Sequence, residues 1–204
     1  METAVIKYNA GNVLSVVNAL KRLGIDPIVT DDAATIRRAD KVIFPGVGEA
    51  STTMAYLRAH GLDQLIISLK QPVLGICIGL QLMCRHSAEG SVDCLGIFDT
   101  EVRRFPSTLT ADEAGRPVRL KVPEMGWNTI HSLRSGLFSP EMEQQYVYFV
   151  HSYYAEPCAA TVALADYGLP FSAALHRDNF YAVQFHPEKS AALGERVLHN
   201  FLSL

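Results

Sequence analysis

The chain has 204 residues, 49% of them hydrophobic, and a formal net charge of -3. That length suffices for one α/β core without disulfides or metals. The near-balanced charge, with no Lys/Arg run longer than two, does not suggest a nucleic-acid or anionic-membrane surface. Four scattered cysteines (77, 84, 94 and 158), none in a C-x-x-C pair, read as reduced thiols of a cytoplasmic protein. The longest apolar stretch, 72–83, is broken by Gly and Gln and falls short of the ~20 residues that span a bilayer.

In chain order, Ala4, Val5 and Ile6 predict a strand. A helix over 13–23 follows, with Leu14, Val17 and Leu20, and Val16 beside them, on one face and Gly24 as its stop. A short strand over 27–30, a brief helix over 35–39 and a strand over 41–44 lead to Pro45-Gly46-Val47-Gly48. Two helices then run to about His60 and over 62–70. The apolar run 73–76 reads as a strand buried on both faces, feeding a helix over 78–86. From Gly96 the runs shorten, with a turn-rich excursion over 106–115. Strands over 146–150, 161–165, 171–176 and 181–185 follow at antiparallel spacing, before a closing helix over 191–202. The expectation is one α/β domain over 1–204. Its central sheet is mixed and mainly parallel, flanked by helices, with an antiparallel C-terminal portion.

Gly75-Ile76-Cys77-Ile78-Gly79 has the spacing of a nucleophile elbow, with Cys in the reactive position. A buried strand that turns at once into a helix crowds the positions two residues either side, and glycine relieves that crowding. The turn presents the sulfur at a helix N-terminus, where thiolates are favoured, and the Ile78 N–H can face a developing oxyanion. The motif alone is equally compatible with a small buried cysteine. Cys84, seven residues on, reads as core. Near the C-terminus, His186 and Glu188 flank Pro187 after a strand; on extended backbone they share a side, so the carboxylate can orient the imidazole. The implied order is Cys, His, Glu. The remaining histidines are assigned no chemistry.

In three blocks, taken in order, the chain resembles the class I (triad) glutamine amidotransferases. They are Pro45-Gly46-Val47-Gly48, Leu74-Gly75-Ile76-Cys77-Ile78-Gly79-Leu80-Gln81 and His186-Pro187-Glu188. Gly11-Asn12, the 121–128 block ending in Met125-Gly126-Trp127-Asn128, and Tyr148-Phe149-Val150-His151-Ser152-Tyr153 narrow the likeness. They point to the glutaminase subunits of imidazole glycerol phosphate synthase. Glu124 departs from the family pattern, where Gln or His is expected. The resemblance implies that Cys77 attacks the glutamine amide, His186 shuttles protons and Glu188 orients His186. It implies that Gly48, Gln81, Glu89, Ser152 and Tyr153 hold the amino-acid end of L-glutamine. The backbone N–H groups of Ile78 and of Val47 or Gly48 would line the oxyanion hole.

The family works without cofactor or metal, and pairs as a heterodimer with a (β/α)8-barrel synthase that receives the ammonia. The flanking glycines give the Val47 peptides rotational freedom, so a resting state with an incomplete oxyanion hole is a further expectation. Competing expectations are a glutaminase serving another synthase, a cysteine peptidase or γ-glutamyl hydrolase on a similar sheet, and a binding module without activity.

Overall fold

In the computed structural model, residues 1–9, 12–109 and 118–204 are described. The first half alternates strand and helix: β1 (Thr3–Ile6), α1 (Val13–Arg22), β2 (Ile28–Thr30), α2 (Ala33–Arg38), β3 (Lys41–Phe44), α3 (Ala50–Ala59), α4 (Leu62–Ser68), β4 (Val73–Ile76) and α5 (Ile78–Met83). Short strands follow: β5 (Cys84–Ser87), β6 (Val92–Asp93), β7 (Phe98–Arg104), β8 (Thr108–Leu109) and β9 (Val118–Arg119). The chain then forms β10 (Glu124–Thr129), β11 (Tyr146–His151), β12 (Tyr153–Ala155), β13 (Thr161–Asp166), β14 (Pro170–Arg177) and β15 (Phe180–Val183), and closes with α6 (Ala191–Leu202).

One seven-stranded sheet in the order β13-β14-β15-β4-β3-β1-β2 organises the molecule. Strands β15, β4, β3, β1 and β2 run parallel, and β14 and β13 extend the edge antiparallel. Alternate residues of each parallel strand serve opposite faces. Ala4, Ile6, Val42 and Phe44 pack with Ile36, Met54, Leu57 and Ile66 from α2, α3 and α4. Val5, Ile43 and Leu74 pack with Leu20 of α1 and with Val197 and Phe201 of α6. Helices on both faces explain why these strands read as unbroken apolar runs. A four-stranded sheet, β12-β7-β5-β6, and the β10-β11 ribbon lie apart from this sheet.

Two expectations are corrected. The helix expected over 78–86 ends at Met83, because Cys84–Ser87 pairs with β7 on one side and β6 on the other. Sheet contacts there outweigh helical continuity. On α1 the buried residues are Val16, Ala19 and Leu20, whereas Leu14 is 71% exposed. The apolar stripe is thus rotated from the one the sequence suggests. Trp127 is 52% exposed on β10 and is not a core aromatic. The 106–115 excursion and Gly11 fall largely outside the described residues.

Candidate active site

The central strands β4 and β15 are parallel neighbours, and both candidate motifs leave the sheet from their carboxyl ends. Cys77 follows β4 directly with φ 55 and ψ -106, a left-sided conformation that a side chain adopts only under strain. Its N–H donates to the Val183 carbonyl at 2.8 Å, tying the turn to β15. Gly79 is sterically required and Gly75 is tightly crowded. A Cβ at Gly79 would stand 2.2 Å from the Phe44 carbonyl oxygen, and one at Gly75 would stand 3.0 Å from the Gly79 backbone. The crowding argued from G-x-C-x-G is therefore present.

His186 lies three residues past β15 and is fully buried. Its N–H donates to the Tyr148 carbonyl at 2.9 Å, and its own carbonyl accepts the Ser190 hydroxyl at 2.7 Å. The backbone is extended at His186 but enters a 3-10 turn over Pro187–Lys189. Glu188 thus reaches the imidazole by curling back, not by strand alternation as the spacing suggests. Nδ1 of His186 and Oε1 of Glu188 are 2.7 Å apart, with side chains 1% and 0% exposed.

Cys77 is close enough to influence the same imidazole electrostatically, although His186 Nε2 is buried and makes no hydrogen bond among the described residues. Burial pulls His186 down from its ordinary value. The contact with Cys77, the hydrogen bond to Glu188 and the charges of both outweigh that and push it up to about 10. Because this folded-state value lies above the unfolded one of about 6.5, the native state holds the proton more tightly. The resulting stabilisation is complete below pH ~6.5 and is lost as pH rises towards the folded value. Urea midpoints of the wild type are expected to fall over that window. Cys77→Ala, which lacks one source of the shift, should show a smaller fall; parallel pH curves for the two proteins would contradict this account.

Two polar residues at the site escaped the sequence reading. Asn12, just ahead of α1, donates from Nδ2 to Glu188 Oε1 at 2.6 Å, the same oxygen that His186 uses. It was visible only as a family marker, since its partner is 176 residues away. Gln184 is fully buried; its Nε2 lies 3.6 Å from Cys77 Sγ and its Oε1 accepts Gln81 Nε2 at 3.0 Å. A lone polar residue at the end of an apolar strand was its only signal.

A cavity of about 300 Å³ opens over the sulfur. Every residue expected at the oxyanion hole or around the substrate, namely Val47, Gly48, Ile78, Gln81, Glu89, Ser152 and Tyr153, lines it together with Cys77. His186 and Glu188 lie behind the sulfur and outside the lining. Glu89 accepts the Ala50 N–H of α3 at 2.9 Å, and burial, aided by the Glu49 charge, raises its pKa despite that bond. Tyr8, buried beneath the 45–48 segment, donates its hydroxyl to the Pro45 carbonyl. Burial and then the Cys77 charge raise its pKa. A Cβ at Gly46 would collide with that hydroxyl, at 2.0 Å. Close packing and a backbone φ of 155°, which residues with a side chain rarely adopt, together account for this glycine. Among the described residues no cluster of His, Cys, Asp and Glu is suited to a metal ion.

A parallel sheet that sets a strained cysteine in a cavity, with a buried His–Glu pair at the end of the neighbouring strand, is an arrangement suited to a cysteine-dependent hydrolase or transferase of α/β type. The family described as glutamine amidotransferase class-I matches residues 4–203, and the chain belongs to it. It is 60% identical to the imidazole glycerol phosphate synthase subunit HisH of Bacteroides thetaiotaomicron, over 100% of both chains. It is 43% identical to the subunit of the same name from Dechloromonas aromatica, over 98% of this chain and 94% of that one. Among solved structures, a glutamine amidotransferase superposes with a TM-score of 0.71 at 19% identity, over 98% of this chain and 97% of that chain. PurLQS from Thermotoga maritima gives 0.63 at 16%, over 99% and 97%. These two likenesses speak for the fold.

Proposed function

We propose that the chain, as one class I amidotransferase domain over 1–204, is the glutaminase subunit of an imidazole glycerol phosphate synthase. It hydrolyses L-glutamine to glutamate and ammonia for a synthase subunit. The observation that carries the reading is the convergence of Cys77, His186 and Glu188 beside a cavity lined by the expected substrate residues. The family and the full-length relatives named for that synthase support it.

In this reading the Cys77 thiolate attacks the side-chain carbonyl carbon, and the charge on oxygen is met by N–H groups of the Ile78 and Val47–Gly48 segments. The imidazolium of His186 gives its proton to the departing nitrogen, leaving a thioester. Neutral His186 then takes a proton from water, which attacks the thioester and releases glutamate and thiolate. Glu188 steadies the imidazolium throughout. The side chains supply every proton transfer.

The partner is a synthase subunit, and a (β/α)8 barrel is the fold the family resemblance suggests for it. Among the described residues no helix is long and apolar enough to cross a membrane, which agrees with a cytoplasmic location. The test is a glutamate-release assay with and without the synthase subunit and its nucleotide ligand. Turnover that rises when the loaded synthase is added is expected. Hydrolysis of peptides or γ-glutamyl conjugates in preference to free glutamine would overturn the reading.

A further inference from the structure

His151 lines the cavity together with Cys77, and beside it stands a buried carboxylate, Glu124, that the reaction does not use. Glu124 on β10 is 3% exposed, and its cross-strand partner His151 on β11 is 6% exposed. Taking two such groups out of water is costly, and apolar replacements of like size are often neutral or better for stability.

The surroundings leave the His151 ring little freedom. Phe105, Phe149 and Phe171 pack round it with ring centroids 5.3, 5.5 and 5.3 Å away. Its Nδ1 lies 2.6 Å from the Tyr153 carbonyl oxygen, which can only accept, so Nδ1 carries a proton. Its Nε2 stands 3.1 Å from Glu124 Oε2, close but out of line for a directed hydrogen bond. The carboxylate's other oxygen is held by Asn128 Nδ2 at 2.8 Å. Tyr153 O is the hinge of the arrangement, because Gln81 Nε2 also donates to it at 2.9 Å.

We propose that Glu124 and His151 are positioning residues for the glutamine subsite: the carboxylate holds the imidazole, and the imidazole fixes the Tyr153 carbonyl against which Gln81 and the 152–153 wall are set. This rests on the glutaminase reading. Neither residue needs to touch the reacting atoms. Their loss therefore weakens binding of substrate and transition state alike, which appears in KM and not in kcat.

The experiment compares wild type, Glu124→Ala and Glu124→Gln, each saturated with the synthase subunit and its ligand. Glu124→Ala is expected to raise KM for glutamine about tenfold with kcat within about threefold, the signature of lost uniform binding. Glu124→Gln, which keeps the side chain's shape beside Nε2 and an oxygen for Asn128 Nδ2, should lie within about threefold of wild type in both constants. Labelling of Cys77, read by mass spectrometry, gives a second measure. Glu124→Ala should slow trapping by a diazo-ketone glutamine analogue about tenfold. It should leave alkylation by iodoacetamide, which needs no amino-acid subsite, within about twofold.

If Glu124→Ala does not fold, His151→Asn and His151→Gln replace it. Asn keeps a donor near the Nδ1 position and should retain the lower KM. An unchanged KM in folded Glu124→Ala overturns the proposal. So does a fall in kcat alone, a parallel slowing of both labels, or a KM for His151→Asn no lower than for His151→Gln. Absence of glutamine hydrolysis by the wild-type complex would instead refute the glutaminase reading itself.

Discussion

Cys77→Ala is expected to reduce glutamine hydrolysis by roughly 10⁴-fold or more, to the background of the assay, because no other group near the cavity can form the thioester. Synthesis by the partner from added ammonia should stay within about twofold, since that chemistry needs the complex and not the thiol. The separation of the two activities distinguishes a missing nucleophile from a disrupted assembly. Cys84, buried on β5, cannot substitute: burial holds its thiol well above the ordinary range. The strained backbone adds an internal control. At φ 55 alanine bears the same penalty as cysteine, whereas glycine does not. Cys77→Gly should therefore be equally inactive but more stable than Cys77→Ala by about 1 kcal/mol. Residual glutaminase turnover in purified Cys77→Ala would remove the nucleophile assignment.

Local crowding and burial were legible in the sequence; partners distant along the chain were not. The parallel strands could be read because both of their faces are covered, which writes an unbroken apolar run into each. The elbow could be read because Gly75 and Gly79 are crowded by contacts within a few residues and with Phe44 of the next strand. Where one segment has two attractive local states, the sequence misled: 78–86 has the composition of a helix, yet β7 and β6 capture its second half. The α1 stripe was misjudged because Leu14, an apolar residue in a suitable frame, points to solvent. At the site, adjacency in the chain revealed Cys77, His186 and Glu188 as candidates. Asn12 acquires meaning only when the start of α1 is brought to Glu188, and Gln184 only when β15 is laid beside β4. Glu124 was noted as a departure, but its burial against His151 depends on the β10–β11 pairing.

The Glu188 carboxylate offers the sharper test of the proton-transfer machinery. Among the described residues its two donors, His186 Nδ1 and Asn12 Nδ2, converge on Oε1, while Oε2 is buried without a partner. A glutamine at 188 can place its carbonyl oxygen where Oε1 stands, keeping both bonds and the same imidazole tautomer. Its amide nitrogen would occupy the unpartnered position. What disappears is the negative charge that supports the imidazolium. Glu188→Gln should therefore cut kcat by about 10²-fold, near the low end of general acid–base contributions. Glu188→Ala, which also frees the ring, should cost about 10³–10⁴-fold. Asn12→Ala removes a neutral donor and leaves the carboxylate, so a loss of about tenfold or less is expected. NMR titration of His186 should follow the same order: its pKa falls in Glu188→Gln because the hydrogen bond and charge of the carboxylate help to raise it in the wild type. If Glu188→Gln were as slow as Glu188→Ala, orientation would not have survived the substitution. If it were as fast as wild type, the charge would have no part in the reaction.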